Sequence, residues 1–143
     1  MSTPTSVLAA FKTLLEAHAT LAAYVHEILL GVREGISQFP IIILEPTSLA
    51  EDDDIHEYQE LYFTVAVMGY VNVKDPNKQI VGDTTIKGIL DFENDVKKAI
   101  SSDNTIGGTV INTEIKETKY DFVDYPIRSF AMNVVFYFRQ NNT

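Results

Sequence analysis

The chain of 143 residues contains no cysteine, and it has only 7 glycines and 5 prolines. The absence of cysteine excludes disulfide bonds, thiolate zinc sites and cysteine nucleophiles. The low glycine and proline content excludes a collagen-like or low-complexity chain, and no stretch approaches the roughly 20 apolar residues that a membrane span needs. Because 45 % of the residues are hydrophobic, the chain can bury a core, and we expect a single domain over residues 1–143.

Positive charge is scarce in the first half of the chain. Residues 1–70 hold 2 basic and 10 acidic side chains, whereas residues 71–143 hold 9 and 10. The acidic excess peaks between Glu45 and Glu60. Its centre is the run Glu51, Asp52, Asp53 and Asp54. Such a segment repels a phosphate backbone, so we expect no tight binding of nucleic acid.

The N-terminal sequence MSTPTSVLAAF differs from a signal peptide. It lacks the basic stretch and the unbroken apolar segment of such a peptide, and its apolar residues recur at helical spacing instead. We therefore expect the protein to stay in the compartment in which it is made, with no membrane partner.

Three segments carry helix signals. A Thr-Pro pair followed by an apolar face predicts a helix over residues 4–18. A short helical turn is predicted over residues 21–25. A Gly-Asp pair resembles a second helix entry, and the apolar stripe after it predicts a helix over residues 83–101.

Runs of β-branched residues and strict alternation predict the strands. The first strand lacks alternation, which favours burial on both faces, and Pro46 is expected to end it before a loop over residues 47–56. Residues 28–33 stay open between a strand and an extended arm, and residues 74–77 predict a turn. The predicted strands cover residues 39–44, 58–71, 110–118 and 127–139.

This order of elements predicts an α+β fold, in which two main helices pack on a mostly antiparallel sheet of about four strands. The strand at residues 58–71 is apolar on both of its faces, and Tyr62, Met68 and Tyr70 lie on the second face. Two interpretations stay open for this face. Either residues 28–44 of the same chain cover it, or it is a contact between subunits.

The sequence contains no recognisable catalytic or metal-binding motif. His18, His26 and His56 are spaced too irregularly for a metal site, and the acidic run lacks the glycine and the distal glutamate of a calcium-binding loop. Gly107 and Gly108 stand in no phosphate-binding motif, and no serine lies in a GxSxG turn. We therefore expect no enzyme activity, no catalytic residue, no cofactor and no bound metal.

Four segments follow an N-terminal amphipathic helix in a familiar order. They are FPIIILEP (39–46), YQELYFTVAVMGYV (58–71), TTIKGILDFENDVKKAI (84–100) and YPIRSFAMNVVFYFRQ (125–140). In this order the chain resembles phage tail terminator and tail-completion proteins, which are small α+β subunits at the end of a long phage tail tube. Neck and tail-tube subunits share the same general pattern.

The resemblance implies a structural virion protein of the phage tail that is assembled in the host cytoplasm. Such a protein forms a ring, commonly a hexamer, which ends tube polymerisation and contacts the tail tube protein and the neck connector. Tyr62, Met68 and Tyr70 would then lie between copies, and residues 51–54 would lie at the lumen or the rim, through which DNA passes. The alternatives are a small monomeric binding or adaptor module, or a small enzyme.

Overall fold

The computed structural model describes residues 2–52, 58–122 and 125–141. The helices are α1 (Pro4–Ala17), α2 (Ala19–Ala22), α3 (Pro76–Val81) and α4 (Ile89–Ser101). The strands are β1 (Glu27–Leu30), β2 (Ile41–Asp52), β3 (Tyr58–Asn72), β4 (Asn112–Phe122) and β5 (Ile127–Asn141). The predicted α+β class is confirmed. None of the described helices is long and apolar enough to cross a membrane.

The strands form one sheet in the order β1-β2-β3-β5-β4. The three neighbouring pairs among β2, β3, β5 and β4 are antiparallel, whereas β1 runs parallel to β2. The mostly antiparallel sheet is thus confirmed, but the described part of the chain holds five strands and not about four. The additional strand comes from the segment that the sequence left open, because residues 27–30 pair with residues 41–44.

Helix α1 begins at the predicted position because its first turn is capped from both sides. Thr3 Oγ1 accepts a hydrogen bond from Ser6 N at 3.1 Å, and Ser6 Oγ accepts one from Thr3 N at 2.8 Å. This reciprocal capping satisfies backbone donors that the helix leaves unpaired. The buried face that follows consists of Val7, Phe11 and Leu15.

The second long helix begins later than predicted. Helix α4 starts at Ile89, because Asp83 caps a local turn in place of a helix: its Oδ1 accepts from the N–H groups of Thr85 and Ile86, both at 2.8 Å. The predicted turn at residues 74–77 instead opens helix α3, and Asp75 Oδ1 accepts from Asn77 N at 2.9 Å at its start.

Strand β2 continues past the proline that was expected to end it. The pairing with β3 shifts between Pro46 and Ser48, as in a β-bulge, and then continues to Asp52 opposite Glu60. Proline is tolerated here because no described strand pairs with β2 on the far side of Pro46, so its missing N–H is not needed. Residues 47–52 of the predicted loop are therefore strand, and residues 53–57 lie outside the described residues.

The main core lies between the sheet and helices α1 and α4. Phe11 of α1 packs on Phe136 of β5 with ring centroids 4.8 Å apart, and Phe92 of α4 packs on Phe130 of β5 at 5.2 Å. The buried face of β5 consists of Phe130, Met132, Val134, Phe136 and Phe138. Both long helices therefore cover the same face of the sheet, which we call the inner face.

Candidate subunit interface

The opposite side of the sheet, the outer face, has no described helix packed against it. Its buried apolar cluster is small and consists of Leu29, Ile41 and Ile43 from β1 and β2. Further along, short side chains such as Thr64, Ala66 and Ala131 are only half-buried. The middle of this face is accessible to another protein surface.

Met68 and Tyr70 lie on the outer face next to that small cluster. Ile36 and Phe39, from the segment between β1 and β2, pack on the same cluster. Tyr70 OH donates to Met68 Sδ at 3.7 Å, and burial, followed by the charge of Asp121, raises the pKa of Tyr70. Part of residues 28–44 therefore does lie against these two side chains, although both stay half-buried.

Tyr62 lies on the same face but is not brought together with the other two residues. Its ring packs edge-on against Tyr137 of β5, with centroids 5.1 Å apart and planes at 82°. Six residues of strand separate Tyr62 from Met68, which corresponds to about 20 Å along β3. The three predicted interface residues thus form two separate contacts on one face, and their role between copies stays a prediction.

The acidic run begins at one end of the sheet, where β2 and β5 end and β3 and β4 begin; we call this the hairpin end. Glu51 is exposed on β2 and accepts a weak hydrogen bond from Gln59 Nε2 at 3.5 Å. Asp52 ends β2, whereas Asp53 and Asp54 lie outside the described residues. Their position at a lumen or rim stays a prediction.

Polar groups on the inner face pair with one another. The carboxylate of Glu93 is buried on α4, where it contacts Lys97 Nζ and accepts from Thr118 and Tyr120 of β4 at 3.4 Å. The hydrogen bond to Glu93 raises the pKa of Lys97. Each charge therefore has a partner, and the group ties α4 to the edge strand β4.

A second polar group ties α2 to α4. Tyr24 OH donates to Asp95 Oδ2 at 2.6 Å, and Lys87 Nζ lies 3.1 Å from the same oxygen and 5.2 Å from the Tyr24 ring centroid. Burial, helped by the bond to Asp95, raises the pKa of Tyr24. Next to this group lies an open groove of about 390 Å³, lined by residues that include Phe39 and Val71. The groove is largely apolar, and neither Tyr24 nor Lys87 is left as an unpaired reactive group.

The histidines are not brought together. His18 lies between α1 and α2 with its Nδ1 buried and without a hydrogen-bond partner in the described structure, His26 is exposed, and His56 lies outside the described residues. No group of three or more His, Asp or Glu side chains that could hold a metal ion occurs among the residues that the structure describes. The expectation of no metal site stays a prediction for the whole chain.

The two edges of the sheet are the feature that sequence reasoning missed. Beyond β2, strand β1 pairs only with residues 41–44, so residues 46–52 have no further strand beside them in the described structure. At the other edge, β4 pairs only with β5. A strand prediction that continued past Pro46 would have been the signal for the first of these edges.

The fold is that of a small α+β domain in which the described helices cover one face of the sheet. No protein family and no curated protein matches the sequence. Among solved structures, the chain is similar to a chain in the virion of a native gene transfer agent particle, with a TM-score of 0.62, 14 % identity, and coverage of 92 % of this chain and 93 % of that one. At this identity the similarity establishes a shared fold over nearly the whole length of both chains.

Proposed function

We propose that this protein is a structural subunit of a phage-like virion that acts as a tail terminator. Copies of it form a closed ring on the end of the tail tube, stop the tube from growing, and contact the neck connector. The resemblance implies six copies. The protein would then work by assembly in the virion tail and not by catalysis, with the tail tube protein and the connector as its partners.

The observation that carries this proposal is a sheet whose outer face has no described helix packed on it, in a chain that shares its fold with a chain of a virion. Half-buried Tyr62 and Tyr137 on that face are the kind of aromatic pair that is enriched in protein interfaces. A head-to-tail contact repeated around an axis closes into a ring with a channel, so such a surface is satisfied without open-ended fibres.

The charge distribution supports the same function. The sequence carries a net charge of −9, and the acidic run from Glu51 begins at the hairpin end of the sheet. A lumen of like charge would let DNA pass without binding it tightly, because a polyanion is repelled by carboxylates. This accords with placing residues 51–54 at the lumen or the rim of the ring.

The test combines imaging with one matched pair of variants. The purified protein and the tail tube protein from the same genome are mixed, and negative-stain micrographs are scored for rings and for capped tubes of uniform length. Tyr62→Asp should abolish capping because it places a charge in the contact, whereas Tyr62→Phe should retain it. Tubes that stay uncapped with the wild-type protein, or that are capped equally by Tyr62→Asp, would contradict the proposal.

A further inference from the structure

The two edges of the sheet match each other in position. The pairing of β2 is irregular between Pro46 and Ser48, and that of β4 is irregular between Ile115 and Glu117. Pro46 pairs with Val65, Val65 with Val134, and Val134 with Ile115, so both bulges lie in one row across the sheet. Between this row and the hairpin end, both edge strands pair regularly, over residues 48–52 of β2 and residues 112–115 of β4.

The free edge of β2 near the hairpin end lacks the usual protection of an edge strand. Its residues 46–50 read PTSLA and carry no charge, and the Leu49 side chain is 44 % exposed. Edge strands that must stay unpaired are commonly guarded by charged side chains, above all lysine. Pro46 protects only the row of the bulge, and no described strand pairs with the far side of β2 at Leu49.

The directions of the two edge strands are compatible with copies of the chain that are related by a rotation. Strand β2 runs towards the hairpin end and β4 runs away from it, because both are linked through the antiparallel pairs β2–β3, β3–β5 and β5–β4. A rotation about an axis along the strands keeps these directions. The β4 strand of a rotated copy would therefore meet β2 in the antiparallel sense, which is the prevailing pairing of this sheet.

We propose that residues 46–50 of β2 pair with the first half of β4 in a second copy of this chain, so that the sheet continues from subunit to subunit. This inference rests on the proposed ring and adds an edge-to-edge contact between copies to the contact through the outer face. In the rows of the single chain, Ala50 stands level with Asn112 and Ser48 stands level with Glu114. Strand tilt in a closed sheet shifts this register by a small number of residues.

A β2–β4 contact between copies would give both edge strands a partner. A symmetric contact of β2 with β2 would leave the β4 edge unpaired and would stop at a dimer. A β2–β4 contact joins two different surfaces, so it propagates and closes only when the rotation closes. The β2–β2 dimer is therefore the outcome that the experiment must separate from the proposed junction.

The absence of cysteine makes disulfide trapping a clean test. Ser48→Cys is combined in turn with Asn112→Cys, Glu114→Cys or Glu117→Cys, which lie on the same outer face and cover a register shift in either direction. After mild oxidation at high protein concentration, at least one pair should give a ladder of covalent dimers and higher oligomers on a non-reducing gel. The control combines Ser101→Cys, at the exposed last residue of α4, with Glu114→Cys, and it reports random collisions.

The gel and the micrographs together separate the possible outcomes. A ladder that exceeds the control supports the junction, whereas covalent dimers from Ser48→Cys alone would show β2–β2 pairing and overturn it. No product above the control from any of the three pairs would also overturn it. Rings in micrographs without a ladder would refute this junction and leave the ring standing, and a ladder without capped tubes would refute the tail function and leave the junction standing.

A charge substitution gives an independent readout in solution. Leu49→Lys should weaken self-association about tenfold in sedimentation experiments, because it removes a partly buried leucine contact and places a charge at the edge. Thr20→Lys adds the same charge at an exposed position of α2 and should leave self-association unchanged. Equal effects of the two lysines would show that net charge, and not the edge, controls association.

Discussion

The position of α4 on the sheet depends on one glycine, and Gly69→Ala tests it. Gly69 lies on β3 directly beneath the ring of Phe130. A Cβ at this position would lie 2.2 Å from Phe130 Cε2, 2.5 Å from its Cζ and 2.9 Å from Phe92 Cε2. The Phe130 ring would therefore have to move by about 1 Å to restore ordinary van der Waals contact.

The ring has little room for such a movement. Phe130 and Phe92 are both completely buried, and Phe92 also packs on Tyr24 at 5.7 Å. Inserting one methyl group into a close-packed core typically lowers the free energy of unfolding by about 1–3 kcal/mol. Because three rings must shift together, we expect a loss near the upper end, about 3 kcal/mol.

The assay is urea unfolding monitored by circular dichroism, with Ala66→Gly as the control. Ala66 lies on the outer face of the same strand, so Ala66→Gly should lower the free energy of unfolding by no more than about 1 kcal/mol. Phe130→Leu lowers stability by itself, but it frees space above Gly69, so Gly69→Ala should cost clearly less in that background. A Gly69→Ala loss below about 0.5 kcal/mol, or an equal loss in both backgrounds, would refute this packing.

Two further predictions follow from local contacts, and a third concerns the acidic run. Thr3→Ala removes the cap of α1 and should lower the free energy of unfolding by about 1 kcal/mol, whereas Thr5→Ala in the same exposed turn should not. Hydrogen bonds from backbone N–H groups lower the pKa of Asp83 to about 2. Its carboxylate therefore stabilises the fold above about pH 4 and loses that effect as the pH falls towards 2, so the difference in urea midpoint between wild type and Asp83→Asn should shrink over that range. Replacing Asp52, Asp53 and Asp54 together by Asn should change stability by less than about 1 kcal/mol but should alter ring assembly or DNA passage; a larger loss of stability would indicate a structural ion site.

The sequence predicts most reliably the elements whose one face is fully buried. Helix α1 and strand β3 lie within one residue of the predicted bounds at each end. In both, the period of the apolar residues and the burial imposed by the core agree. The helix face around Phe11 and the strand face around Val65 could each be read directly, because their buried apolar residues belong to the same core.

Other elements depend on contacts that are distant in sequence. Pro46 ends a strand by local preference, but the 15-residue strand β3 continues beside it and keeps residues 48–52 paired. The four residues of β1 form a strand only because they pair with β2 in the parallel sense. Asp83 resembles a helix cap in the sequence, but helix α4 begins only at Ile89. Before it, Gly88 packs against Gly82 so closely that a Cβ on Gly88 would lie 2.5 Å from the Gly82 backbone N.

The candidate interface was predictable in kind but not in detail. Alternation along β3 places Tyr62, Met68 and Tyr70 on one face, and the structure has all three there. The sequence could not decide how much of that face the chain itself covers, because the path of residues 31–40 depends on where β1 joins the sheet. The free edge of β2 is likewise a property of the completed sheet, since it exists only because β1 is shorter than its neighbour.

The size of the proposed junction fits a protein that must assemble only on a tube. Pairing residues 46–50 with the start of β4 would add about five backbone hydrogen bonds, each with a net contribution of about 0.5–1.5 kcal/mol. Association itself costs on the order of 4–15 kcal/mol in lost freedom of motion. One junction is therefore weak by itself, and we expect free subunits to associate only at high concentration. A tube end that holds neighbouring copies in place would bear most of that entropic cost, so the ring would close there at a much lower concentration than in solution.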